Sequence, residues 1–151
     1  MKTTNENNTA TFIHLSSLSQ YFFPLGSFIF PLLIWNTKKH ESEFIDYNGK
    51  QVLNFQLSFF LYSLTLVMIA IPMIIFSVFN NIAFSSLINE QEFILNQFKY
   101  ENNMGSIIFV ILMLLIFIGL KVAEFFLIIL ASVKASKGEY YKYPLTISFI
   151  K

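Results

Sequence analysis

The chain has 151 residues, 55% of them hydrophobic and 18% aromatic, with 19 phenylalanines, only 13% charged residues and a mean hydropathy of +0.60. An average soluble domain carries roughly 25% charged residues, so this chain has too little charge to coat a water-facing globule. A net charge of +1 with no arginine leaves no basic footprint for nucleic acid, and the lack of cysteine removes disulfides, thiolate nucleophiles and cysteine-based metal sites.

A helix needs about 20 mostly apolar residues to cross a hydrocarbon core roughly 30 Å thick, and three runs meet that length. The first covers residues 12–35 and is the least oily, with His14, Ser16, Ser17, Ser19 and Gln20 ahead of Pro24 and Pro31. Its leader, "MKTTNENNTAT", is followed by no A-x-A cleavage pattern, so it reads as a retained span rather than a signal peptide. The prolines predict a kink or local unwinding. His14, Ser17 and Tyr21 share one face near the outer interface, and a lone histidine without a second ligand at metal spacing is a poor metal site.

Residues 36–51 follow, containing "KKHESEFIDYNGK", which reads as a cytoplasmic loop with a turn at Asn48-Gly49. The second run, 52–79, holds no charge. Gln51, Asn54, Ser58, Tyr62 and Thr65 recur at spacings of three and four, which places them on one helical face. Such a stripe predicts either hydrogen bonds to neighbouring helices or a hydrophilic path. Beyond it, residues 82–99 predict an amphipathic interfacial helix, with Phe84, Leu87, Ile88, Ile94, Leu95 and Phe98 opposite Asn89, Glu90, Glu92, Asn96 and Lys99.

The third run, 106–133, is interrupted only by Lys121 and Glu124. These stand three apart on one face, where they can pair, extend to an interface, or relay a proton or ion. Gly119 with Ala123, and Ala131 with Ala135, have the small-xxx-small spacing that permits close helix contact. In the tail, 134–151, Gly138 is a plausible helix cap, and the tyrosines and lysines before Pro144 suit a membrane-surface anchor.

With three spans, seven lysines lie in the first loop and the tail against two, Lys2 and Lys99, on the other side. The positive-inside rule then places the N-terminus outside and the C-terminus in the cytoplasm of a multi-pass protein of the bacterial plasma (inner) membrane. The expected fold is an all-α integral membrane protein, one membrane domain over 1–151 with three transmembrane helices plus one amphipathic interfacial helix.

Three segments carry a resemblance: "HLSSLSQYFFPLGSFIFPLLIW", "KKHESEFIDYNGKQVLNFQLSFFLY" and "ASVKASKGEYYKYPLTISFIK". Together they resemble small bacterial membrane proteins of a domain-of-unknown-function family grouped with the chloroplast import subunit Tic-twenty. The likeness is carried chiefly by Asn54, Phe55 and Gln56 and by "KGEYYKYP", with Gly138, Tyr143 and Pro144. It implies no established reaction, cofactor or catalytic residue.

No G-x-S-x-G, H-E-x-x-H, P-loop or G-x-G-x-x-G occurs, and the predicted topology separates the two histidines, His14 and His40. The expectation is therefore a protein that is not an enzyme, with no cofactor and no metal, acting as an accessory or assembly subunit of a membrane complex. Its expected partners are the lipid bilayer and a membrane protein or a second copy of itself, not nucleic acid. The alternative is a small transporter or channel component with a path along Asn54, Ser58, Tyr62 and Thr65 and past Lys121 and Glu124.

Overall fold

A computed structural model describes the backbone of residues 3–81 and 100–151, so the amphipathic helix expected at 82–99 lies outside the described residues. In chain order the elements are α1 (Thr4–Ser16), a 3-10 helix (Ser17–Tyr21), α2 (Gly26–Lys38), α3 (Glu43–Asn81) and α4 (Tyr100–Ser136), with no strand among the described residues.

The polar leader is itself helical. The Thr3 hydroxyl accepts a hydrogen bond from the Glu6 amide at 3.3 Å, capping the first turn of α1. Threonine and glutamate three apart are the sequence signature of such a start.

The segment read as a first span, 12–35, is not one helix. After α1 the Ser16 and Ser19 hydroxyls donate to the carbonyls of Ile13 and Ser16 at 2.7 and 2.6 Å, and the chain tightens into the 3-10 helix. It then reverses. Phe22 and Phe23 both donate to the Ser19 carbonyl, Pro24 precedes Leu25 in the left-handed region at φ 61°, and α2 begins at Gly26. A β-carbon at Gly26 would stand 2.7 Å from the Ser19 carbonyl oxygen, so only glycine lets the chain close this turn. Each resulting helix has 13 residues, about 20 Å of rise against a hydrocarbon core of roughly 30 Å.

The loop and turn expected at 36–51 are also corrected. Only residues 39–42 are non-helical there, and α3 runs without a break through Asn48-Gly49. Gly49 serves close packing instead of a turn, because a β-carbon there would meet Trp35 Cδ1 at 2.0 Å. The Trp35 indole N–H donates to Asp46 at 2.9 Å, and Asp46 pairs with Lys50 at 2.6 Å, so the start of α3 is tied to the end of α2.

Two stretches are long and apolar enough to cross a membrane by length and composition, Glu43–Ile75 in α3 and Ile108–Ser136 in α4. The chain divides into two compact units. One comprises Met1–Leu61 with Leu120–Lys151, and the other is Tyr62–Gly119. The first contains the buried core, including Ala10, Ile13, Phe44, Phe55, Ile128, Ala131 and Ala135. Among the described side chains of the second none is buried, and its apolar residues stand open on α3 and on α4.

Candidate functional site

The first unit is organised around buried polar side chains. His14, at the end of α1, is fully buried between Asn48 of α3 and Tyr143 of the tail, at 2.8 Å from Nε2 and 2.9 Å from Nδ1. Asn48 Nδ2 donates to the Phe44 carbonyl at 2.8 Å, which leaves Oδ1 facing the imidazole as an acceptor. His14 therefore carries its proton on Nε2, and a neutral ring accepts from the Tyr143 hydroxyl at Nδ1. Burial drives the His14 pKa from 6.5 to about 4 against the opposing pull of Asn48, and it holds the Tyr143 phenol well above its usual value. The Tyr143 ring stacks on Phe55 at 4.0 Å and 13°.

The histidine expected near the outer interface is thus bonded directly to a tyrosine of the tail expected in the cytoplasm. A 2.9 Å contact cannot cross a bilayer, so the placement of the two termini on opposite sides is corrected.

Two residues of the α3 stripe hold the chain's last residues. Asn54 Oδ1 accepts from the amides of Phe149 and Ile150 at 3.0 and 2.8 Å, and its Nδ2 donates to the Ile150 carbonyl at 2.9 Å. Ser58 accepts from the Ile147 amide at 2.8 Å and donates to the Asn54 carbonyl at 2.7 Å. Tyr62 is half-buried and Thr65 exposed, so the stripe does not continue as one buried face. Glu124 is buried, with Lys121 at 2.8 Å and the Gln20 amide at 3.0 Å. Lys121 keeps 34% of its side chain exposed against 1% for Glu124, so the pair is buried at the carboxylate end only.

Of the motif residues, Gly138 ends α4 at φ +73°, and the Glu139 amide reaches back to the Lys134 carbonyl at 3.0 Å. A β-carbon on Gly138 would lie 3.2 Å from the Asn7 side chain, another contact between tail and N-terminal helix. Pro144 starts the turn in which Leu145 takes φ 56°. Gln56 is buried with no partner for Nε2 among the described residues. Of the small residues, Ala131 and Ala135 are buried, whereas Ala123 is exposed and Gly119 has open space beside it.

Trp35 and Asp46 are polar contributors that sequence reading did not single out, and Asn48 and Gln20, named there, were not assigned these contacts. The contacts Trp35–Asp46, Asn48–His14 and Gln20–Glu124 span 11, 34 and 104 residues, beyond any helical periodicity. A cavity of about 380 Å³ opens beside the start of α3, with Glu43, Asp46, Lys50, Asn54, Ser148 and Lys151 among its walls. No group of three histidine, cysteine, aspartate or glutamate side chains gathers at ligand spacing among the described residues.

No curated protein and no solved structure matches the chain. The resemblance to the Tic-twenty group is overturned, because the family model that matches is a different one and covers residues 5–150. Over nearly its whole length the chain belongs to the MamF/MmsF family, described as the magnetosome magnetite crystal formation protein family.

Proposed function

We propose that this chain is a non-enzymatic integral protein of the magnetosome membrane that acts as an accessory or assembly subunit during magnetite crystal formation. The observation that carries this reading is the internal engagement of its polar groups. Asn54 and Ser58 are taken up by the tail, and Glu124 by Lys121 and Gln20. A conducting path needs such groups presented to a solute, whereas here they tie separate segments of the chain together. The same engagement weighs against Glu124 as an acid–base group, since its carboxylate already faces a cation and an amide.

In this reading α3 and α4 cross the bilayer and both chain ends lie in the cytoplasm. With two crossings, eight lysines lie on the side of the termini and one, Lys99, on the other, while Lys121 stays within α4. That asymmetry exceeds the seven against two of the three-span arrangement and points the termini inward by the positive-inside rule. The 3-10 break and α2 then form a short apolar hairpin beside the cytoplasmic leaflet.

The test combines genetics with flux. In a magnetosome-forming host lacking this chain, crystals should change in size or number while a membrane partner co-purifies with the restored protein in nanodiscs. Solute flux in proteoliposomes that vanishes in Glu124→Gln, with folding intact, would replace the accessory role with a transport role. Reporter fusions at the two ends should give the same cytoplasmic signal.

A further inference from the structure

The last residues of the chain combine three properties that seldom meet in one segment. From Pro144 to Ile150 the backbone is neither helix nor strand, yet three of its amides and one carbonyl are satisfied by side chains of α3. Leu145, Ile147 and Phe149 keep 70%, 45% and 47% of their surface exposed. Ile147 and Phe149 stand on either side of Ser148, which lines the cavity beside α3.

Where this segment sits follows from its partners. Tyr143 is level with Asn48 and Phe55, Ile147 bonds to Ser58, Ile150 bonds to Asn54, and Lys151 shares a cavity with Asp46 and Lys50. The chain thus moves along α3 away from its charged start and then returns to it. Lys50 is the last charged residue before the apolar stretch of α3. Asn54 and Ser58 lie four and eight residues beyond it, about 6 and 12 Å along the helix axis. Lysines bracket the excursion, Lys142 before it and Lys151 after it.

We propose that residues 144–150 form a re-entrant segment that dips into the acyl chains of one leaflet, with Leu145, Ile147 and Phe149 resting against lipid and Asn54 and Ser58 holding its backbone. Irregular backbone is tolerated at membrane depth only where protein satisfies its polar groups; Asn54 and Ser58 do so for three of the six amides of residues 145–150 and for the Ile150 carbonyl, and the Thr146 hydroxyl donates to the Pro144 carbonyl. Asn54 and Ser58 thereby gain a purpose that requires neither a neighbouring span nor a conduit: they are the receptor for the chain's own tail. The occupant of the exposed side is lipid hydrocarbon, because Leu145, Ile147 and Phe149 are the large side chains exposed there and the flanking residues are lysines, which remain at the headgroups. This inference rests on α3 crossing the membrane.

The chain has no cysteine, so single-cysteine variants carry a spin label at one defined place. Labels at Ile147→Cys, Phe149→Cys, Leu64→Cys and Lys142→Cys are compared in vesicles for collision with oxygen, which concentrates in hydrocarbon, and with a water-soluble nickel chelate. Positions 147 and 149 should favour oxygen severalfold over the chelate, as Leu64 on α3 does, and position 142 should show the reverse. Adding Ser58→Ala or Asn54→Leu should move positions 147 and 149 toward the chelate while leaving Leu64 unchanged. Water exposure at 147 and 149 with lipid exposure at Leu64 overturns the re-entrant segment and leaves the membrane reading standing. Water exposure at all three overturns both. Lipid exposure at 147 and 149 that is indifferent to both α3 variants overturns the role of Asn54 and Ser58.

Discussion

Residues 43–61 and 62–75 belong to the same helix, yet they are built for different surroundings. The first stretch buries Phe44, Ile45, Asn48, Val52, Asn54, Phe55, Ser58 and Phe59, whereas in the second Leu64, Val67, Met68, Ile69, Ile71, Met73, Ile74 and Ile75 are all exposed. The corresponding halves of α4 differ likewise, with Glu124, Ile128, Ala131, Ser132 and Ala135 buried and Ile108, Ile111, Leu112, Leu114, Leu115 and Ile118 exposed. A helix that is apolar all round and bare of protein is matched to lipid, where hydrophobic burial between helices offers no drive. A helix that buries histidine, asparagine and glutamate must instead match each one with a partner. In one unit specificity comes from paired polar groups, and in the other from the solvent.

That contrast is tested most strongly where the two units should respond in opposite ways. Tyr143→Ala removes a stacked ring and the donor to His14, and loss of a buried aromatic side chain costs about 3–5 kcal/mol. Thermal unfolding in nanodiscs should register it as the largest loss, while Leu115→Ala, at a side chain 62% exposed, should stay within about 0.5 kcal/mol. Charge should reverse the ranking. Leu115→Lys puts an ammonium on a lipid-facing site, with an insertion penalty of about 2.5–3.5 kcal/mol, and a membrane-insertion reporter should show the drop. Comparable losses for Tyr143→Ala and Leu115→Ala would mean that the units do not differ in the way described.

Much of the two long helices was legible because lipid imposes a rule on composition: the uncharged run after Gln51 and the long run broken by Lys121 and Glu124 lie in α3 and α4. The first unit resisted because its elements are defined by distant partners. The 12–35 run has the composition of a span, but serine hydroxyls, Pro24 and the Ser19–Gly26 contact break it. Asn48-Gly49 has the chemistry of a turn, but His14 takes the asparagine and Trp35 fills the space left by the glycine. The Asn54–Ser58 face was visible as polar, and its occupant was not, because 96 residues separate Asn54 from Ile150. The family signature was misassigned for a related reason: Asn54, Phe55, Gly138 and Tyr143 hold this chain's own segments together, and packing does not name a process.

A smaller and more selective response is expected from pH. His14 is neutral in the fold, with its pKa lowered from 6.5 to about 4, so the unfolded chain binds the extra proton first as pH falls. The contribution of this site to stability is complete above pH 6.5, declines as pH drops below that value, and is fully lost below about pH 4. At 1.36 kcal/mol per pH unit, the window is worth at most about 3 kcal/mol. Melting midpoints measured from pH 7.5 to 4.5 should fall more steeply for the native chain than for His14→Gln, which has nothing to titrate there. Glu139, held below its usual range by the Lys134 ammonium, is common to both proteins and cancels from the comparison. Parallel curves would show that His14 is not buried as a neutral ring.

The finest discrimination comes from one substitution made in each unit. Glycine to alanine within a helix ordinarily favours the helix, by up to about 1 kcal/mol, because alanine restricts the unfolded chain and adds no strain. At Gly119 nothing lies within 4 Å of the added carbon, so that gain should appear undiminished as a small rise in melting midpoint. At Gly49 the added carbon would fall 2.0 Å from the Trp35 ring, and the indole cannot simply swing aside without giving up its hydrogen bond to Asp46. Overpacking of this kind costs about 1–3 kcal/mol, enough to reverse the helix gain. Opposite signs from one chemical change would place the boundary between packed protein and lipid-facing helix within the chain itself, since propensity alone predicts the same sign at both positions.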